Sequence, residues 1–393
     1  MRGLKALVAI GAASLMTTVM GQSDDKEIKI GIVASLSGMY EIGGHQLQNG
    51  INTYLKQNDG KLAGHKVTLI YRDTAGPNPD IAKRVAQELI TRDMVDFLAG
   101  FDFTPGAMAV APIATQAKTP MILMNASASI IPTKSPYIVR TSFTPGQTSY
   151  PLGKWAAQNG IKSVAIVSAD FAPAAEAAIW FKKSFIEAGG KIVSEVAVPL
   201  TNVDFAPYLQ KVKDQKPDAV FSFLPVGEPV ILFYKTFKER GLAKEGIKLI
   251  SAEGWVDDDV LKASGDAAIG AISSGYYTPS HDSKKNKDFI ATYKLVSGGK
   301  MEPNYLAVGA YDGMAVIAEA VKKVGLPEDR IKLIDAMKGL TIDSPRGPLT
   351  IDPTSRDSIN TVYMRKIEII KGKAVAVEFD KFDAVKDPGK LSP

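Results

Sequence analysis

Residues 27–44, EIKIGIVASLSGMYEIGG, constrain this chain more than any other stretch. Ile28, Ile30, Ile32 and Val33 form a short apolar run rich in β-branched residues, which reads as a buried parallel strand. The run ends in Ser35-Leu36-Ser37-Gly38, and after a loop containing Gly43 and Gly44 a helical pattern starts near His45. A strand that feeds a small-residue loop and then a helix brings backbone N–H groups to the strand's carboxyl edge. Open α/β sheets bind ligands at that edge.

The rest of the chain repeats this unit. Residues 66–73, 95–100, 120–129 and 137–143 read as extended pieces, separated by helical patterns at 45–57 and 79–92 and by a helix opened by Pro105. The pattern restarts with the apolar strand at 162–170 and a helix at 174–188 that stops at Gly189-Gly190. Strands at 191–200, 218–225, 247–254 and 270–277 follow, with helices at 205–214 and 230–240. Such alternation predicts an α/β protein of two doubly wound parallel-sheet lobes. Helical patterns at 288–296, 305–324 and 327–337 are expected to pack back on the first lobe, and extended segments at 346–353, 360–370 and 373–379 to complete the second. The expected lobes are 27–143 plus 277–349 and 144–276 plus 350–393, joined by several chain crossings that form a hinge with a ligand cleft.

Composition removes several function classes. The formal net charge is +5, of which Arg2 and Lys5 in a leader supply two, leaving +3, too mild for a nucleic-acid or anionic-membrane partner. Residues 1–21 read as a secretory signal, with a positive start, an apolar core at 6–15 and cleavage near Gly21 or Gln22; a retained anchor is the alternative. No later apolar run approaches about 18 residues, so the mature chain is expected in the periplasm without membrane insertion. There is no cysteine, which excludes disulfides, thiolate catalysis, Cys-zinc sites and a lipoprotein anchor. No nucleotide-binding glycine motif, zinc-protease motif or nucleophile elbow is present. His45, His65 and His281 have no metal-ligand spacing, and Asp257, Asp258 and Asp259 read as the first turn of a helix. Neither an enzyme, a cofactor nor a metal is expected.

What does cluster is hydroxyl chemistry. Ser35 and Ser37 follow the first strand, Thr104 the third, and Asn125, Ser127 and Ser129 the fourth. Each could cap a helix. Converging on one edge, they and helix N–H groups could together hold a carboxylate with no positive side chain.

Taken in order, KIGIVASLSG, LAGFDFTPGAMAVAPIA, PMILMNASAS, YIVRTSFTPGQ, KSVAIVSAD, KPDAVFSFLP, SAEGW and SPRGPLTID resemble the periplasmic solute-binding proteins of branched-chain amino-acid ABC transporters. These are the leucine/isoleucine/valine-binding type, with the type I periplasmic-binding fold. The resemblance implies that Thr104, at a serine position, Ser129, at a threonine position, and the backbone around Ser127 and Ala128 hold a ligand carboxylate. It further implies that Glu253 receives an α-ammonium and that Tyr311 lies near the cleft. Phe171-Ala172-Pro173 and Pro225-Val226-Gly227 depart from the family pattern. The side-chain pocket is therefore rebuilt, with Phe103, Phe171, Val226 and Trp255 as candidate walls. The implied function is capture of a small carboxylate-bearing solute, either an apolar amino acid or an aromatic acid, by lobe closure. A monomer would then deliver it to an inner-membrane ABC permease. The alternative is a ligand sensor for an amide, urea or aromatic acid coupled to a regulator.

Overall fold

The computed structural model describes residues 27–200 and 203–390; the leader expected at 1–21 lies outside them. The first half runs β1 (Ile28–Ala34), α1 (Glu41–Gln57), β2 (Lys61–Leu62), β3 (His65–Asp73), α2 (Pro79–Thr91), β4 (Phe97–Gly100), α3 (Thr104–Gln116), β5 (Met121–Leu123) and β6 (Ile138–Arg140). These strands make a six-stranded sheet in the order β2-β3-β1-β4-β5-β6. All neighbours are parallel except the short edge strand β2 on β3. Because β3 lies on one side of β1 and β4 on the other, the winding reverses between β1 and β4. A crevice opens at the carboxyl ends of these two strands.

The second half runs α4 (Pro145–Gln158), β7 (Ser163–Ala169), α5 (Ala172–Glu187), β8 (Lys191–Val198), α6 (Ala206–Gln215), β9 (Ala219–Ser222), α7 (Glu228–Glu239), β10 (Lys248–Ala252), α8 (Asp258–Ser264) and β11 (Ile272–Gly275). Its strands stand in the order β11-β10-β9-β7-β8, all parallel. The same reversal recurs, now between β7 and β9.

The chain then returns through α9 (Lys284–Val296), α10 (Tyr305–Val324) and α11 (Ile331–Met337) to β12 (Thr341–Ser344), β13 (Gly347–Ile351), β14 (Ser358–Ile370) and β15 (Lys373–Val385). Phe289, Val308, Ile317 and Leu333 of these helices join Ile30, Leu47 and Phe97 in one core on the first sheet. The other face of that sheet is covered by α2 and α3 through Val85, Leu89 and Val110. Strand β14 extends the second sheet antiparallel to β11, so that sheet is mixed. The β14–β15 turn, Lys371-Gly372, has both residues at positive φ (51° and 79°), the geometry of a two-residue hairpin, and a hairpin can only pair antiparallel. The β12–β13 hairpin puts Ile342, Leu349 and Ile351 into the first sheet's core while β13 bonds to β14, so this strand serves both halves.

Two departures from the sequence reading have local causes. Helix α1 begins at Glu41, so Gly43 and Gly44 are helical and do not form a loop. A Cβ on Gly44 would lie 1.9 Å from the Ser35 carbonyl oxygen, so this glycine is there for close approach of the helix to the end of β1. Helix α4 was not expected; its start is signalled by a capping box between Thr144 and Gln147.

Between the halves lies a buried polar hinge. Arg346 is buried and donates to Asp312 (2.7 Å), to the Thr141 carbonyl (2.5 Å) and to Asn360 (2.8 Å). Arg140, also buried, faces Asp357 at 3.3 Å. Arg140 Nη1 and Nη2 donate to the carbonyls of Ser127 and Ala128 at 2.5 and 2.7 Å, clamping the loop after β5 to the hinge.

Candidate functional site

A cavity of about 550 Å³ opens between the halves, at the carboxyl ends of both sheets. That volume lies within the range of small-molecule sites. Its walls come from the two winding reversals. Phe103 and Thr104 follow β4, Phe171 follows β7, and Phe223 to Val226 follow β9. Thr104, Ala172, Glu228 and Tyr305 are the first residues of α3, α5, α7 and α10, so four helix N-termini converge there. The dipoles of these helices favour an anion without any cationic side chain, although the first N–H groups of α10 are already taken by Asn304. Every charged side chain lining the cavity is in fact a carboxylate, among them Asp102, Glu253, Asp257 and Glu302.

The apolar part is aromatic. Tyr40 meets Phe103 edge-on at 4.8 Å, Phe171 lies 6.3 Å from Phe223, and Phe143 meets Tyr305 edge-on at 6.1 Å. At the first-lobe end Thr104 Oγ1 accepts a 3.5 Å bond from the Ala128 N–H. Asn125 donates to the Asp102 carbonyl at 2.7 Å, and its own Oδ1 is buried without a hydrogen-bond partner. Asp102 accepts from the Ser35 N–H at 2.8 Å, and burial holds its carboxyl above the ordinary range.

The second-lobe end is built differently. Glu253 sits just past β10 at φ 38°, a left-handed conformation that costs energy in a non-glycine residue. Its Oε2 accepts from the Tyr276 N–H at 3.0 Å, its Oε1 lies 3.6 Å from Arg365 Nη1, and the residue is 4% exposed. Arg365 is itself fully buried and donates to the Tyr277 carbonyl, Ser273 and the Ser274 carbonyl at 2.6–3.0 Å. Gly275 makes room for this pair: a Cβ there would lie 2.2 Å from Arg365 Nη2. Burial pushes the Glu253 carboxyl up, opposed by Arg365. Asp257 lines the cavity beside it and accepts from Asn304 of the first lobe at 2.7 Å. Burial, with Glu253 and Asp259 adding to it, pushes the Asp257 carboxyl up to about 8.

Of the residues expected at the site, Phe103, Thr104, Ser127, Phe171, Val226 and Glu253 lie together on this cavity. The others lie elsewhere. Trp255 is buried in the second lobe's core against Phe233 and Tyr234, at 5.3 and 5.2 Å, so it is not a pocket wall. Tyr311 packs between Tyr54 and Phe289 in the first lobe, with its hydroxyl on Gln57 at 2.8 Å. Ser129 turns from the cavity to Glu176 of α5, which accepts from both its N–H and its hydroxyl. The Ala128 N–H is taken by Thr104. Ser35 and Ser37 are turned to Thr74 and Asp73. The sequence reading did not place Tyr40, Phe143, Phe223, Asp257 or Tyr305 in the site. Tyr305 and Asp257 stand at helix starts, the one signal that could have suggested them.

The fold and the interlobe cavity define a two-lobed solute-binding protein. The family described as periplasmic binding protein matches residues 27–374, and the chain belongs to it. It is 37% identical to the Leu/Ile/Val-binding protein homolog 6 of Brucella melitensis, over 97% of this chain and 98% of that protein. A solute-binding protein of an ABC transporter from Rhodopseudomonas palustris BisB5, solved with 3,4-dihydroxybenzoic acid, superposes with TM-score 0.88. It shares 49% identity, covering 93% of this chain and 99% of that one. Another from R. palustris, solved with 4-hydroxybenzoate, gives TM-score 0.88 at 40% identity, covering 93% and 100%. The protein is thus the solute-binding component of an ABC importer and not an enzyme; such proteins bind small solutes and deliver them to a permease. Among the described residues no helix is long and apolar enough to cross a membrane.

Proposed function

We propose that this chain captures a small aromatic carboxylate and not an α-amino acid. The state of Glu253 carries the reading. The acid matching the family's ammonium acceptor is buried against a fixed Arg365, so its charge is already balanced. An incoming ammonium would find the Glu253 charge already matched and would lose its own hydration on entry. The ring lies among Phe103, Phe171, Phe223 and Tyr305, while the carboxylate takes the Thr104 and Ser127 end under the α3 N-terminus. The hydroxybenzoates in the R. palustris relatives support the same class. The protein works as a monomer in the periplasm after loss of residues 1–21. Residues 27–143 with 277–349 and 144–276 with 350–393 serve as the closing lobes, and Phe103, Thr104, Ser127, Phe171 and Val226 contact the solute.

Calorimetric titration of the purified protein with benzoate, hydroxybenzoates and leucine tests this. Binding of aromatic acids with no heat from leucine is expected. Tight leucine binding with no aromatic acid bound refutes it and restores Glu253 as an ammonium acceptor.

A further inference from the structure

From the geometry of the second-lobe end we infer that Asp257 is a specificity-determining residue that selects an aromatic acid bearing a ring hydroxyl over the bare ring. The inference rests on the proposed function and deepens it.

Asp257 occupies the N-cap position before α8, where an aspartate ordinarily accepts from its own helix. Here it makes no cap bond. Its Oδ2 is instead fixed by Asn304 Nδ2 at 2.7 Å, and Asn304 is in turn anchored by accepting the N–H groups of Leu306 and Ala307 at 2.9 and 3.3 Å. One carboxyl oxygen is therefore positioned from the opposite lobe, and the residue stays half-buried on the cavity wall. Its neighbour Glu253 is withdrawn: Oε2 is used by the Tyr276 N–H, and Oε1 is buried with no hydrogen-bond partner, facing Arg365. Of these two neighbouring acids, Asp257 is thus the one free to meet a solute.

The charged groups around Asp257 fit this role. Glu253 at the end of β10 and Asp259 in α8 disfavour its ionisation, Arg365 of β14 favours it, and burial outweighs them. A carboxyl that keeps its proton near neutral pH adds no charge against a bound benzoate and can both donate to and accept from a phenol. A ring without a hydroxyl leaves it desolvated and unpaired, the arrangement that discriminates most strongly against an analogue lacking the group.

The test is titration with benzoate and 4-hydroxybenzoate of three proteins: the unaltered chain, Asp257→Ala and Asp257→Asn, each checked for cooperative thermal unfolding. The unaltered chain is expected to hold 4-hydroxybenzoate about tenfold or more tighter than benzoate. Asp257→Ala brings the two together. Asp257→Asn, which still donates and accepts, keeps the preference, a rescue that a merely structural role would not produce. Equal affinities in the unaltered chain, or an undiminished preference in Asp257→Ala, overturn the inference while leaving the proposed function standing. Failure of both acids to bind overturns the proposed function itself, and the inference with it.

Discussion

The two ends of the cavity handle charge in opposite ways. The first-lobe end offers dipoles: the Thr104 and Ser127 hydroxyls and the start of α3, with the guanidinium behind the loop, Arg140, spent on the Ser127 and Ala128 carbonyls and on Asp357. The second-lobe end offers carboxylates, one matched to the permanent counter-ion Arg365 and one, Asp257, held neutral by burial. A charge that stays can be given a fixed partner. A charge that must enter and leave is better met by dipoles, which leave no buried cation unpaired when the site empties.

The contrast can be broken most severely at its permanent pair. Arg365→Leu leaves Glu253 buried without a counter-ion and is expected to cost about 3–5 kcal/mol, read as a fall in the midpoint of denaturant unfolding. Saturating the dipole end comes next: an aromatic carboxylate at about a hundredfold excess over its Kd should add ~2.7 kcal/mol of stability, read as a rise in Tm. Thr104→Val removes the proposed hydroxyl donor to the anion and should weaken binding by about 1.5–3 kcal/mol, roughly ten- to hundredfold in Kd, and it also strips the Ala128 N–H of its acceptor, lowering the unliganded Tm. An unchanged Kd would show that the dipole end is held by α3 alone.

The smallest effect sharpens the comparison through pH. The Asp257 carboxyl is raised by folding from an ordinary 3.8 to about 8. A group raised on folding contributes its stability fully below the lower value and loses it as pH climbs through the upper one. The folded protein should therefore lose stability between about pH 4 and 8 through this group. Asp257→Asn should remove that part of the slope, gaining about 1 kcal/mol at pH 8 after discounting for its half-exposed position. Urea melts at pH 5 and pH 8 compare the two proteins; parallel pH profiles would assign the slope to other groups.

Much of this architecture was legible in one dimension. Apolar β-branched runs such as 28–33 and 163–169, spaced by helical patterns, determine parallel α/β halves because burial on both faces leaves no other use for them. Ligand chemistry at strand ends follows from the same alternation, which is how Thr104 and Ser127 could be named, whereas Phe103, Phe171 and Val226 were reached only through the family resemblance and the departures from its pattern. Which aromatics line the void and which fill the core was decided only in three dimensions. Trp255 and Tyr305 each begin or precede a helix, yet one is enclosed by Phe233 and Tyr234 while the other faces the gap. The role of Glu253 depended on Arg365, more than a hundred residues away and brought alongside by the antiparallel addition of β14 to β11. A carboxylate's neighbours in space set whether it is free, paired or neutral, and local sequence carries no trace of a partner delivered by another strand.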